Sequence, residues 1–503
     1  MGTRRSEWAF ACVGVLVVAC TDASDMDAGS AAAVDGGARA DASSRRDGGG
    51  AGDADGGAGR DGGRDGGGGG APDAGGPLGD AVVHFLDPLG YAKPRGIAIA
   101  MPDEATCPNR YYVDFDAGSG SACTESAPCR EMRDLIGKPG LSGGPAYVYL
   151  RGSGLFYLYE DTFYGSAGNE IVIRPWPGAG LVSLQSTSGT GNTLDGDIHH
   201  VILDGGPDLE LELVTHDAPR YGLTIRADDV TVYRTRFRAG SHDGPLVDIG
   251  SFTTVRDVRF INCEFFDADN VDGAQQNMYW GPGAGSTIEG GLVQNCIFRQ
   301  LGGEAIELNP RVSLDDVVIE GNAIHDVGKR TCSGGFNCRP AITIDGPSVG
   351  GESRHVTIQN NLMWDLGSGG VWDRSGTSFV VIQNNTVFDF GRGGSSDPNP
   401  EGISGYSDGG RGTVRNNIVY APNGTAPLDG SSFTLTSNLC SGCAVAWSNT
   451  TFVSTDEDTA EFLRLAAGSP AIDAAATVEL TRDYFGEPRP VGASVDIGAD
   501  EAP

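Results

Sequence analysis

The chain has 503 residues, with 79 Gly, 35 Lys and Arg against 67 Asp and Glu, and a formal net charge of −32. An acidic surplus of that size repels phosphate backbones, so nucleic acid is excluded as a partner. After the first 20 residues no stretch approaches the ~20 apolar residues that a membrane helix requires, which excludes a multi-span membrane protein.

At the amino terminus Arg4 and Arg5 precede an apolar stretch from Trp8 to Val18, which runs into Val17, Val18, Ala19 and Cys20. This pattern resembles a bacterial lipoprotein signal. The resemblance implies cleavage before Cys20, lipidation of that cysteine and membrane anchoring through it; an ordinary secretory signal is the alternative. Thr21 stands where an Asp often retains such proteins at the inner membrane, so the same resemblance implies the outer membrane or cell surface of a Gram-negative bacterium. Residues 21–80 hold 20 Gly, 12 Asp and 5 Arg and no aromatic residue, too little apolar surface to fold. They are expected to form a flexible tether with an end-to-end distance of about 40 Å. Since the tether contributes −7 and the leader +1, residues 81–503 carry −26.

Residues 81–503 are expected to form one solenoid domain, acting as a monomer. Between 231 and 440 one phrase recurs: a strand, a polar turn with Asn, and a second strand, as in "VRFINCEFF", "GLVQNCIF", "VVIEGNAI", "VTIQNNLMW", "VVIQNNTVF", "TVRNNIVY" and "TLTSNLC". The Asn residues are Asn262, Asn295, Asn322, Asn361, Asn385, Asn417 and Asn438, at intervals of 33, 27, 39, 24, 32 and 21. Uneven spacing of a constant phrase marks a parallel β-helix, whose coils tolerate loops of different length because each touches only its neighbours. Coils stack about 4.8 Å apart, so an Asn repeated at one turn predicts a ladder of amide hydrogen bonds. Cys263 and Cys296 directly follow two of these positions and read as small stacked core residues.

Nine of the eleven cysteines lie after residue 81, and export permits disulfides. The short loops Cys123 to Cys129 and Cys332 to Cys338 are the best candidate bridges, and Cys440 with Cys443 is a weaker one. No Cys or His stands at zinc-finger spacing from these pairs.

Residues 111–136, "YYVDFDAGSGSACTESAPCREMRDLI", with "GSAGNEIVIRPWPG", are similar to the amino-terminal cap of bacterial right-handed β-helix proteins, among them the alginate and chondroitin lyase group. This resemblance implies an all-β, right-handed parallel β-helix with a first strand Tyr111 to Val113, a capping helix containing Glu131 to Ile136 and coils from Tyr147. The carboxyl end, about 467–503, is similar to the terminal segment of choice-of-anchor Q proteins through Ser469, Pro470, Asp473, Asp483, Gly486, Pro488, Arg489, Pro490, Asp496, Gly498 and Glu501. It is expected to cap the open edge of the last coil.

The strand before each Asn phrase supplies a candidate groove. Aligning these strands by their inward apolar residues gives an outward column Thr224, Asp248, Tyr279, Glu307, Thr343, Trp372 and Ser404. A second column reads Arg226, Gly250, Gly281, Asn309, Asp345, Arg374 and Tyr406. Rings beside charged groups suit polysaccharide, because rings cover the apolar faces of sugars while charges bond hydroxyls or carboxylates. Tyr279, Asn309, Trp372 and Tyr406 are the expected substrate contacts. Polyuronide lyases of this fold use Lys or Arg as base after a cation neutralises the uronate. The resemblance therefore implies Lys329 as base, its pKa lowered by neighbouring cations, with Arg330 or Arg374 neutralising. Glu307, Asp345 and Asp373 offer hard oxygen ligands for calcium. The chain departs from known groups in lacking an "NTD" and "GHG" pair, a "WIDH" and a "DPHD". Two classes follow: a lyase acting on acidic polysaccharide, and a non-catalytic surface protein that binds glycan or partner cells.

Overall fold

Apart from one short hairpin, the named strands pair in parallel with strands one coil away, and this repeated register builds the molecule. The computed structural model describes residues 97–503 and the backbone of Phe85–Leu86 and Ala92–Lys93. It leaves out 159–162, 187–190, 216–220, 240–245, 251–252, 269–276, 282–285, 310–312, 330–338, 346–352, 375–378, 393–399, 406–411 and 430–432. These residues form a right-handed parallel β-helix with three sheets.

The first sheet contains Val247–Ile249, Met278–Trp280, Ile306–Leu308, Ile342–Ile344, Val371–Asp373 and Ile403–Gly405. The second includes Thr254–Ile261, Thr287–Gln294, Ser313–Glu320, Ser353–Gln359 and Val380–Gln383. The long strand Leu223–Tyr233 takes part in both. The third sheet has twelve strands in coil order, from Ser153–Gly154 to Val445–Ala446. Inward residues repeat from coil to coil, so identical side chains stack: Phe237, Phe265 and Phe298 lie face to face at 4.7 and 4.6 Å.

The turn between the second and third sheets carries the Asn residues, and it differs from expectation in register. Two columns stand there instead of one. In the inner column Asn322, Asn361, Asn385, Asn417 and Asn438 are linked, each backbone N–H and side-chain amide donating to the Oδ1 of the next at 2.9–3.0 Å. Each of these five side chains also donates to a backbone carbonyl of the preceding coil, such as Asn385 Nδ2 to Ile358 O at 2.9 Å. Cys296 and Cys263 continue this column: the Cys296 N–H donates to Asn322 Oδ1, and the Cys263 N–H to the Cys296 sulfur. Both cysteines are therefore ladder members, where they had been expected to follow it. Asn262 and Asn295 belong to the outer column with Asn360, Asn384 and Asn416, all with φ between 52° and 57°. Asn adopts that left-handed conformation at lower cost than most residues, and Gly321 fills the place with φ 64° where no Asn is available.

The outer column receives both ends of the domain. Asn262 exchanges two hydrogen bonds with the backbone of Ile97. Asn360, Asn384 and Asn416 donate to carbonyls of Arg482, Asp496 and Ala476. The carboxyl-terminal segment thus runs along the flank over several coils, packing Phe452, Phe462 and Ile497 with Trp364, Phe388 and Ile418, so it covers the side of the third sheet as well as lying near the end.

At the amino-terminal end the first strand is Arg110–Asp114, paired with Ala146–Arg151. The expected capping helix is one 3-10 turn, Met132–Leu135, which buries Met132 and Leu135. It ends before Gly137, whose φ of 77° breaks the helix. Disulfides join Cys123 to Cys129 and Cys440 to Cys443; the proposed Cys332 to Cys338 pair lies outside the described residues. Among the described residues no helix is long and apolar enough to cross a membrane.

Replacing Asn385 by Ala strips the Asn361 N–H and amide of their acceptor inside the turn. The expected cost is about 3 kcal/mol, read as a lowered denaturant midpoint. An unchanged midpoint would show that the ladder does not hold the turns.

Candidate functional site

The outward column of the first sheet forms as expected. Thr224, Asp248, Tyr279, Glu307, Thr343, Trp372 and Ser404 are successive register partners. Strand alternation aims them away from the core, yet Asp248 and Thr343 have no exposed surface. Tyr279 and Trp372 are half-buried and Arg374 is exposed.

Glu307 is the centre of this column's chemistry. It is 3% exposed. Its Oε1 accepts from Asn309 Nδ2 at 2.9 Å, and the same amide lies 3.0 Å from the Tyr279 hydroxyl. Its Oε2 is buried without a hydrogen bond. Burial, followed by the nearby carboxylates of Glu304 and Asp345, pushes the Glu307 carboxyl up to about 8. Asp345 is held by Arg374, with Nε 3.1 Å from its Oδ1, and the Arg374 guanidinium sits 4.6 Å from the centre of the Trp372 ring. Beneath them Glu304 is fully buried, and its pKa is raised by burial in spite of Arg339, whose Nη1 is 3.1 Å from Oε1. The Arg339 guanidinium faces the buried Glu304 carboxyl. Three carboxyl groups, two of them buried, thus share two guanidinium groups, and with its pKa pushed up to about 8 Glu307 is mostly protonated at neutral pH. A neutral acid beside a guanidinium-held carboxylate is equipped for proton transfer.

Of the sequence-derived candidates, Tyr279, Asn309, Glu307, Asp345, Trp372 and Arg374 come together here. Asp373 does not join them. Its register partners Ile344 and Gly405 belong to the inward column, so it does not share the outward face with Glu307. Lys329 also stands elsewhere, at the end of the third-sheet strand Ala323–Val327, bound to Asp365 and 3.0 Å from Asp326. Burial alone would lower its pKa, but Asp365 and Asp326 outweigh burial and raise it, the opposite of the expected shift. Arg392 continues that row by pairing with Asp365 at 2.6 Å and with Asp389. Arg330, Tyr406 and Cys20 lie outside the described residues.

The calcium expectation meets a poor ligand set. Asp373 lies on the inward column, away from Glu307, and Arg374 already pairs with Asp345. Among the described residues one acidic triad, Asp483, Glu487 and Asp500, brings its ligand atoms within 4.8 Å of one another, in the carboxyl-terminal segment. Arg464 bonds Glu487 and Asp500 at 2.8 and 3.0 Å, while backbone N–H groups occupy Asp483 and Asp500. The charge a cation would supply there is provided by Arg464.

Sequence reasoning missed Glu304, and it placed Arg339 in the basic loop that leads to the groove without giving it a role at the site. Glu304 stands three residues before Glu307 in "GGEAIEL", just ahead of the strand, and Arg339 just ahead of the next coil's strand. Two acidic residues flanking an apolar pair at a groove strand were the available signal.

The description "Right handed beta helix region" fits residues 270–440. No curated protein matches the chain. Among solved structures a pectate lyase, Pel9A, aligns at 17% identity and TM-score 0.49, covering 79% of this chain and 97% of that one. A rhamnogalacturonan lyase aligns at 14% and 0.44, covering 69% and 91%. An alginate lyase from Paenibacillus sp. str. FPU-7 aligns at 13% and 0.34, covering 64% and 97%. These likenesses concern the path of the solenoid and carry nothing about chemistry.

The carboxyl of Glu307 binds its proton more tightly in the folded chain than its ordinary 4.5 allows. The stability this contributes is complete below pH 4.5 and is lost as pH rises towards about 8. Glu307→Gln removes the titration. Unfolding midpoints of the variant and the unsubstituted protein are expected to match at pH 4 and diverge in the variant's favour by pH 8; parallel profiles would refute the raised pKa.

Proposed function

We propose that the protein acts on an extracellular polysaccharide laid along the first sheet, with proton transfer by the Glu307 and Asp345 pair. The observation that carries this reading is a buried acid, protonated at neutral pH, at the floor of a half-open surface of Tyr279, Trp372 and Arg374. The rings cover sugar faces and Arg374 bonds hydroxyls; as the glycosidic C–O bond breaks, Glu307 gives its proton to the departing oxygen, while a water molecule adds to the anomeric carbon and returns its proton to the Glu307 and Asp345 pair. Lys329 is not the base in this reading, because it is held protonated between two carboxylates on the third sheet. Asp345 is among the groups that raise the Glu307 carboxyl's proton affinity. The two carboxyls therefore work as one proton-holding unit.

Export and anchoring through Cys20 belong to the same proposal. The leader pattern supports them, and so do the two disulfides, which form and persist in oxidising compartments. A lipid-anchored solenoid on a Gly-rich tether meets glycan outside the cell. Non-catalytic glycan binding is the second reading, favoured by the exposure of Arg374 on the Trp372 ring, a surface that grips sugar without chemistry.

Purified protein incubated with neutral and acidic polysaccharides, followed by reducing-end and ultraviolet assays, separates hydrolysis from elimination. Glu307→Gln is expected to lower turnover by roughly 10²- to 10⁴-fold, while Lys329→Ala leaves it unchanged. Saturable binding without product, lost in Trp372→Ala, would replace the enzyme by a binding protein.

A further inference from the structure

The corner between the first and second sheets opens, in the amino-terminal coils, into a cavity of about 820 Å³. A bulge builds one wall. Arg226 and Asp228 are two positions apart, whereas their register partners Asp195 and His199 are four apart, so Gly196 and Asp197 are extruded and exposed. Tyr164 is the bridge partner of His199, and their rings lie 5.4 Å apart at 33°. Asp228 and Asp229 line the same cavity, as does Arg226, which is 3.4 Å from Asp195.

Two flat rings and several carboxylates are the tools for a hydroxyl-rich ring. The rings cover its apolar face, and each carboxylate accepts hydrogen bonds from neighbouring hydroxyls. Among the lining residues are Asp197, Asp228 and Asp229, and the nearby guanidinium groups already face carboxylates, Arg226 at 3.4 Å from Asp195 and Arg256 at 3.3 Å from Asp228, while His200 stands 3.7 Å from Asp229. A sugar bearing its own carboxylate would have to displace one of these pairs and is disfavoured.

The cavity is in line with the Glu307 cluster. Ile225, Ile249, Trp280 and Leu308 are successive register partners, which places Arg226, Gly250, Gly281 and Asn309 in one column. Three coil steps separate Arg226 from Asn309, about 14 Å at the interstrand spacing. Both intervening positions are glycine with φ of 72° and 78°, so no side chain of that column stands between the two sites.

The geometry points to a second saccharide subsite: the Tyr164 and His199 cavity holds a neutral sugar unit of the same glycan chain whose other end lies at Glu307. This rests on the polysaccharide reading of the first sheet and fixes its substrate class as neutral. A chain spanning both sites must be an oligosaccharide; a disaccharide reaches one.

The test uses full-length protein carrying Glu307→Gln, so that turnover does not intrude, and calorimetric titration with di- and hexasaccharides of the gluco-, xylo-, manno- and galacto- series and with a uronate hexasaccharide. One neutral hexasaccharide is expected to bind. Tyr164→Ala and Asp197→Asn should each weaken it by roughly five- to tenfold, the worth of one ring or charged contact, with disaccharide affinity unchanged. Asp197 is exposed, so Asp197→Asn carries the test if Tyr164→Ala fails to fold. Unchanged hexasaccharide affinity in both variants, with turnover intact in the unsubstituted protein, overturns the subsite and leaves the polysaccharide reading standing. Preference for the uronate overturns the neutral class. Absence of binding and turnover on every glycan overturns both.

Discussion

A solenoid must turn its backbone at the same corner in every coil, and each of those turns is buried. The inner Asn column meets that constraint. Each side chain supplies an acceptor to the coil before it and a donor to carbonyls that the turn would otherwise leave unpaired. An orphaned buried amide costs about 1–3 kcal/mol, so the column must be continuous or replaced by something that can accept. Cys296 and Cys263 are that replacement, through sulfur, in the coils where the Asn stands one place earlier. The pinned turn fixes strand register, and fixed register makes every outward side chain a member of a column.

Columns have an electrostatic consequence. Residues of one column repeat at about 4.8 Å, and unit charges at that distance in a poorly hydrated environment interact by several kcal/mol. Glu307 has Tyr279 and Thr343 as its column neighbours, so no carboxylate stacks directly on it. Its repulsion comes from Glu304, just ahead of its own strand, and from Asp345, just past the next coil's strand Ile342–Ile344. Arg339 and Arg374 offset part of this, and a retained proton offsets the rest. On the third sheet the opposite solution appears: Lys329 and Arg392 alternate with Asp326, Asp365 and Asp389, each cation bridging two coils. One face stores an acid; the other is a neutralised ladder.

Much of this was legible in the residues themselves. Period-two alternation fixed the seven outward positions correctly, because a register slip by one residue would have turned every apolar side chain outward. The same reasoning failed by one place at Asn262 and Asn295, where single-Asn turns give no sign of whether the Asn is the left-handed residue or the one after it. The double-Asn turns at 360–361, 384–385 and 416–417 hold both positions and show the rule in retrospect. Lys329 was misplaced because its loop leads towards a groove strand while the residue itself leaves a third-sheet strand. Position in a loop does not say which corner the side chain faces. The Tyr164 and His199 cavity was invisible for a different reason: it depends on a bulge between Asp195 and His199, and bulges leave no periodic signature.

The acidity of the chain then bears on what the first sheet can hold. A uronate lying against Glu307 would add a further negative charge where three carboxyl groups already compete for two guanidinium groups and burial has pushed Glu307 up to about 8. Arg374 offers the exposed positive charge, and it is committed to Asp345, so a uronate would have to displace that carboxylate and strand it. A neutral sugar pays neither cost. Its hydroxyls can donate to Asp345 and to the Asn309 carbonyl oxygen without adding a charge beside the existing pairs. The surface charge of −26 outside the leader and tether acts in the same direction at longer range, slowing the approach of polyanions and leaving neutral glycans unaffected. On the proposed polysaccharide reading, the charges of the first sheet therefore favour a neutral sugar over a uronate.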